Sequence, residues 1–143
     1  MPSGDDAGGT LARFEPPTGP GVRVDTFGYT GYETTGNFDS LLAKVVVSGP
    51  ASFAALCAKA DRALAAFRIH GVETNLDYLR ALLQDTRVLH GDIDTTYVER
   101  NAPALHAAAA ALATERRQHE ASHSGGPAAS EVSAESLLAA GAN

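Results

Sequence analysis

The sequence has little of several features that would point to a particular class of protein. It contains one cysteine, which excludes an internal disulfide framework and is typical of the reducing cytoplasm. No apolar run approaches the ~20 residues of a membrane helix, and the opening MPSGDDAGG lacks the basic and apolar regions of a signal peptide. Lys and Arg number 11 against 17 Asp and Glu, for a net charge of −6, without a basic cluster. We therefore expect a cytoplasmic protein with no nucleic-acid and no membrane partner.

The clearest strand signal lies between Gly19 and Gly49. Residues 22 to 25 (VRVD) alternate apolar and polar side chains, as a half-buried strand does. Residues 41 to 47 (LLAKVVV) form a short apolar run with a β-branched end, which favours a buried strand over a helix. We predict that residues 10 to 48 are mostly strand. The stretch from Gly19 to Gly49 contributes two or three antiparallel strands, and residues 10 to 15 are a candidate for a further short strand.

Helical spacing begins after Pro50. A first helix is predicted over residues 52 to 68, with Ser52 as its N-cap. A second helix starts at Asn75 as N-cap, and residues 86 to 93 are predicted to be a loop. Asp94 can cap a short third helix over residues 95 to 100. The apolar face of the first helix comprises Phe53, Leu56, Cys57, Ala60, Leu64 and Phe67.

The composition divides the chain into four parts. Residues 1–9 are a flexible lead-in, and residues 10–101 are the folded part. Residues 102–121 are an Ala-rich helix with Pro103 in its first turn, and residues 122–143 have the Ser, Gly and Ala bias of a disordered linker. The predicted fold class is α+β: a small antiparallel β-sheet of about three to four strands, packed by helices.

Many residues in one order carry a resemblance to a known family, over roughly residues 9 to 101. The matching residues are Gly19, Gly21-Val22-Arg23-Val24-Asp25, Gly31-Tyr32-Glu33, Phe38-Asp39-Ser40-Leu41-Leu42-Ala43-Lys44, Ala63-Leu64, Phe67-Arg68-Ile69, Gly71-Val72, Thr74-Asn75, Leu79-Arg80-Ala81-Leu82-Leu83, Gly91-Asp92, Asp94-Thr95 and Val98-Glu99. They resemble the C-terminal subdomain of the biotin carboxylase domain of biotin-dependent carboxylases. The segment Pro2-Ser3-Gly4 resembles one inside that domain, so we expect the chain to be a piece of a longer enzyme.

The resemblance implies a function for the intact enzyme, which carboxylates biotin with bicarbonate and ATP through carboxyphosphate. In the family the phosphate-covering loop and the magnesium-binding carboxylates lie in the upstream ATP-grasp portion, which this sequence lacks. The subdomain is expected to close the active site and to contribute to a homodimer. Its implied partners are the ATP-grasp portion and a biotin carrier domain. This chain alone is expected to bind neither ATP, Mg nor biotin and to be inactive. A free-standing module that docks on a separate ATP-grasp chain, or an inactive gene remnant, are the alternatives.

The resemblance also singles out two residues, Asp39 and Arg23, each with a plainer alternative. Asp39 matches an aspartate near the biotin end of the active site, where it would orient an arginine from the upstream portion; alternatively it caps a turn. Arg23 matches an arginine near the homodimer interface, or is an ordinary exposed strand arginine. Lys44 is expected on the exposed side of its strand. His119 and His123 have a spacing that suits a metal, but no third ligand is evident.

Overall fold

Short antiparallel strands make up the first part of the chain. The structure is a computed structural model, and it describes residues 8–34, 41–49 and 52–123. Within these residues the strands pair two by two. Strand β1 (Gly9–Thr10) pairs with β4 (Glu33–Thr34), β2 (Arg13–Glu15) with β6 (Arg68–His70), and β3 (Val22–Thr26) with β5 (Ala43–Val47).

Helices follow the strands along the chain. They are α1 (Phe53–Ala66), α2 (Leu76–Gln84), α3 (Thr86–His90) and α4 (Tyr97–His123). The Ser52 hydroxyl caps α1 by accepting from the Ala55 N–H at 3.3 Å, as the sequence predicts. The Asp85 carboxylate caps α3 by accepting from two backbone N–H groups, those of Arg87 and Val88.

The chain divides into two units, between Ala113 and Thr114. In the second unit, the Arg116 guanidinium lies 3.8 Å from the Glu120 carboxylate, one helical turn away. The Ser122 hydroxyl donates to the backbone carbonyl of His119 at 2.8 Å. These contacts are local ones within helix α4.

The core of the first unit is built around Leu11, whose side chain is completely buried. The Phe14 and Phe67 rings meet edge to face beside it, with centroids 5.2 Å apart, a favoured geometry for aromatic pairs. Strand β2 buries Phe14 and exposes both of its neighbours, which is the alternation expected of a half-buried strand. The remaining members of the core cluster are Leu64, Ile69 and Leu76. Strands and helices therefore share one apolar interior.

The predicted fold class is confirmed, since helices pack on small antiparallel strand pairs. The apolar run ends in strand β5, and the first two predicted helices correspond to α1 and α2. Asn75 is the residue before α2, but its side chain makes no capping hydrogen bond.

Several elements expected from the sequence differ from those in the structure. Strands occupy only short parts of residues 10 to 48, and the predicted loop over residues 86 to 93 contains α3, because the preceding Asp85 caps a helical turn. The expected helices over residues 95 to 100 and 102 to 121 are one helix, α4, with Pro103 in its interior rather than in its first turn. A proline removes one backbone hydrogen bond, and here the flanking turns continue the helix. Residues 122 and 123 also belong to α4, and most of the predicted linker lies outside the described residues.

Candidate functional site

An open apolar groove lies in the described part of the first unit. Its volume is about 1710 Å³, and β5, α1, α2 and the first-unit part of α4 line it. Three of its large apolar side chains are exposed: Phe53 by 59%, Leu41 by 52% and Leu79 by 37%. The charged lining residues, Glu73 and Asp77, are both acidic. An apolar surface of this kind is typical of a binding or docking site.

A second exposed apolar feature follows strand β3. Phe27 is 55% and Tyr29 is 62% exposed. Both rings pack edge to face against Tyr32, with centroids 5.4 and 5.5 Å away. Gly28 lets this loop approach the core, since a Cβ there would lie 3.2 Å from the Phe14 ring. The sequence analysis did not reveal this aromatic cluster.

Of Arg23, Lys44 and Asp39, the structure describes the first two. Arg23 lies on β3 with 70% of its side chain exposed, and its Nε is 3.1 Å from the Asp25 carboxylate. Lys44 is exposed on β5, directly opposite Asp25. Asp39 lies outside the described residues. Arg23 and Lys44 are on the surface and outside the lining of the groove. The interface role of Arg23 and the positioning role of Asp39 remain predictions.

A partly buried ion-pair cluster ties α1 to α2. The Arg80 Nε donates to Asp61 Oδ1 at 2.8 Å, and the Arg80 Nη1 lies 3.8 Å from Asp77 Oδ1. The exposed fractions of these side chains are only 15%, 20% and 12% for Arg80, Asp61 and Asp77. Gln84 donates to the second oxygen of Asp61 at 3.1 Å. The cluster therefore links α1 to α2 through charge-assisted contacts of Arg80 with both aspartates.

A second polar cluster joins α3 to the start of α4. The Tyr97 hydroxyl donates to Asp85 Oδ2 at 2.8 Å, and the Arg87 guanidinium lies 5.2 Å above the Tyr97 ring. Burial raises the pKa of Tyr97, and its hydrogen bond to Asp85 raises it further. Partial burial also acts to raise the pKa of Asp85, but hydrogen bonds from Tyr97, Val88 and Arg87 outweigh it and lower that pKa. The cluster thus favours the Asp85 carboxylate in its role as a helix cap.

The described residues contain no group of three or more His, Cys, Asp or Glu side chains that could hold a metal ion. Cys57 is buried on α1, and His119 lies near the C-terminal end of α4. None of the helices in the described ranges is long and apolar enough to cross a membrane.

The fold and the groove define the class of the protein, which is a small α+β domain with an apolar side left open. Comparison with protein families then finds a match over residues 4–100 to the biotin carboxylase C-terminal domain. Because this match covers more than half of the 143 residues, the chain belongs to the family of biotin carboxylase C-terminal domains.

Individual relatives agree with this assignment. The chain is 42% identical over 94 residues to the biotin-dependent acyl-coenzyme A carboxylase alpha3 subunit of Mycobacterium leprae, which covers 61% of this chain and 16% of that protein. It is 36% identical over 91 residues to biotin carboxylase 1 of Bacillus subtilis, covering 64% of this chain and 20% of that protein.

Solved structures give the same result. The chain resembles the biotin carboxylase domain of a single-chain bacterial carboxylase with a TM-score of 0.70 and 45% identity, over 72% of this chain and 24% of that one. It resembles the biotin carboxylase domain dimer of Hydrogenobacter thermophilus 2-oxoglutarate carboxylase, solved with MgADP, ADP and bicarbonate, with a TM-score of 0.65 and 32% identity. That match covers 68% of this chain and 21% of the other. The chain thus spans about a quarter or less of the proteins it matches.

Proposed function

We propose that this chain is the C-terminal subdomain of a biotin carboxylase and acts as a fragment or subunit of that enzyme. In the intact enzyme it closes the active site for ATP-dependent carboxylation of biotin with bicarbonate, and it contributes to a homodimer. By itself it is inactive, because the ATP-grasp portion supplies the nucleotide and magnesium sites. A biotin carrier domain presents the biotin.

One observation supports this proposal most strongly: the family match over residues 4–100, combined with the small share of each relative that the chain spans. The groove agrees with it, since large apolar side chains remain exposed where a larger enzyme would have more protein to bury them. Contiguous exposed apolar surfaces often mark sites of interaction with another protein. The alternative, a free-standing module that docks on a separate ATP-grasp chain, is supported by the same groove.

Two residues have proposed supporting roles. Asp39 orients a cationic side chain of the ATP-grasp portion near the biotin, so it is a positioning residue. Arg23 contributes to the contact between two copies. Its exposed position on β3, with its ion pair to Asp25 on the same strand, leaves it accessible to a second copy.

A fused enzyme tests the proposed function. In biotin carboxylase 1 of Bacillus subtilis, the segment that this chain matches is replaced by the present chain, and biotin-dependent ATP cleavage with bicarbonate is measured. We expect turnover by the fusion protein and none by the 143-residue chain alone. A protein without the replaced segment is the control. Turnover by the isolated chain, or a folded fusion protein without turnover, would contradict the proposal.

The role of Asp39 is tested in the same fusion protein. Loss of one charge-assisted hydrogen bond, worth about 1.5–3 kcal/mol, should lower turnover of Asp39→Ala by roughly 10- to 100-fold. Asp39→Asn should retain part of the activity, because its amide oxygen can still accept a hydrogen bond. Unchanged dimerisation and thermal unfolding would separate this positioning role from a structural one.

A further inference from the structure

Helix α1 contacts the end of the ribbon formed by strands β3 and β5 through the side chain of Lys59. The Lys59 Nζ donates to the Ser48 carbonyl at 2.9 Å, and the Ser48 N–H donates to the Gly21 carbonyl at 2.9 Å. Ser48 directly follows β5, and Gly21 directly precedes β3. One ammonium group therefore connects this end of the β3–β5 ribbon to the helix.

The chain is closely packed around this ammonium group. Gly21 has a φ of +68°, a conformation that glycine adopts without strain. A Cβ at this position would overlap the Ser48 carbonyl oxygen and would lie 2.5 Å from the Lys59 Nζ. The ammonium group thus lies directly against the backbone of the ribbon, so a change at residue 59 acts on the ribbon itself.

The β3–β5 ribbon depends on contacts of this kind for its position. A two-stranded ribbon is only marginally stable by itself. Val24 and Val45 fasten its middle, since both are partly buried against the core cluster. At the far end, the Thr26 hydroxyl donates to the Leu42 carbonyl at 2.8 Å, a bond that stays within the strand pair. Because α1 contributes buried residues to the core, the Lys59 bond sets the position of the near end of the ribbon relative to that core.

Arg23 projects from the near end of this ribbon. Its neighbours Val22 and Val24 are partly buried, whereas Arg23 is exposed. The guanidinium is held along the strand by Asp25, with Nε 3.1 Å from Oδ1 and Nη2 donating to Oδ2 at 3.2 Å. Asp25 thus fixes the guanidinium relative to β3, and Lys59 fixes β3 relative to α1.

We propose that Lys59 is a positioning residue for the contact between two copies of this chain and that it acts through Arg23. The inference rests on the proposed function, which assigns Arg23 to that contact. In a symmetric dimer both copies present the same surface to each other, so the bond of Lys59 counts twice. Loss of this charge-assisted hydrogen bond in both copies should therefore weaken association by roughly 10- to 100-fold.

The dimer dissociation constant of the fusion protein described above tests this role. Lys59→Met retains an unbranched side chain but removes the charge and the donor, so we expect the dissociation constant in analytical ultracentrifugation to rise by roughly 10- to 100-fold. Lys59→Arg should stay within about threefold of the natural chain, because it can donate to the same carbonyl. Arg62→Met is the matched control, since it removes one positive charge from the exposed side of α1 without removing the donor to Ser48. Equal rises for Lys59→Met and Arg62→Met would overturn the proposal.

A double-mutant cycle separates positioning from a general loss of stability. If Lys59 acts through Arg23, Lys59→Met should have little further effect on the dissociation constant once Arg23→Ala has removed the guanidinium. Additive effects of the two substitutions would show that Lys59 supports the dimer by another route, and they would overturn the proposal.

The outcomes also separate this inference from the proposed function. A dimeric fusion protein with turnover, whose dissociation constant is unchanged by Lys59→Met, would support the proposed function and overturn the inference. A Lys59 effect that depends on Arg23, in a dimer without turnover, would support the inference while contradicting the function. A folded fusion protein that is monomeric, or whose dimer is unaffected by Arg23→Ala, would overturn the inference together with the interface role of Arg23.

Discussion

Replacing Leu11 by alanine should remove a large part of the stability of the isolated chain. The change deletes three buried carbon groups, which are worth about 2.4 kcal/mol at about 0.8 kcal/mol each. The cavity left behind adds to this loss of stability, because the side chain is fully buried and both the N–H and the C=O of residue 11 are hydrogen-bonded. The Leu11 N–H donates to the Tyr32 carbonyl at 2.9 Å, and the Gly31 N–H donates to the Leu11 carbonyl at 2.7 Å. Because the residues around the cavity can move little to fill it, we expect the free energy of unfolding to fall by about 3 to 4 kcal/mol in total.

Urea unfolding followed by far-ultraviolet circular dichroism measures this loss. With a typical slope of about 1 to 3 kcal/mol per molar urea, the midpoint should fall by about 1 to 4 M. Leu79→Ala is the matched control: its side chain is 37% exposed, so the transfer term is about 1.5 kcal/mol and no closed cavity forms. If Leu11→Ala loses no more stability than Leu79→Ala, Leu11 is not the centre of the core.

Two further predictions concern backbone geometry and pH. Gly71→Ala should lower the free energy of unfolding by about 2 to 5 kcal/mol, because the φ of Gly71 is +97° and a Cβ would overlap the Thr10 carbonyl oxygen. Gly91→Ala, where φ is +71° and no atom lies within 4 Å of the added Cβ, should lower it by only about 1 to 2 kcal/mol. Equal losses for the two variants in urea unfolding would contradict the steric argument. The folded-state pKa of Asp85 lies below its ordinary value of 3.8, so its carboxylate stabilises the fold above that value and this stability is lost as the pH falls through the lowered pKa. The difference in urea midpoint between the natural chain and Asp85→Asn should therefore be largest near pH 7 and shrink below about pH 3.8; a difference that grows in acid would contradict this assignment.

The functional interpretation rests on information of two kinds. The order of matching residues along the sequence already indicates the family, and the family match confirms it. The groove could not be predicted in the same way, because side chains such as Phe53 and Leu79 have the same apolar character whether a neighbour covers them or not. Their exposure is visible only when the fold shows which elements pack on them.

The sequence by itself determined the elements whose causes are local. Helix α1 follows from the spacing of its apolar side chains and the Ser52 cap, and strand β5 follows from a short run of β-branched residues, because neighbours along the chain supply these preferences. Tertiary structure alone decided strand β6, whose three residues are too few to show a period. They become a strand because Ile69 lies opposite Phe14 of the distant β2, and burial of both side chains in one core supplies the free energy that the local sequence lacks.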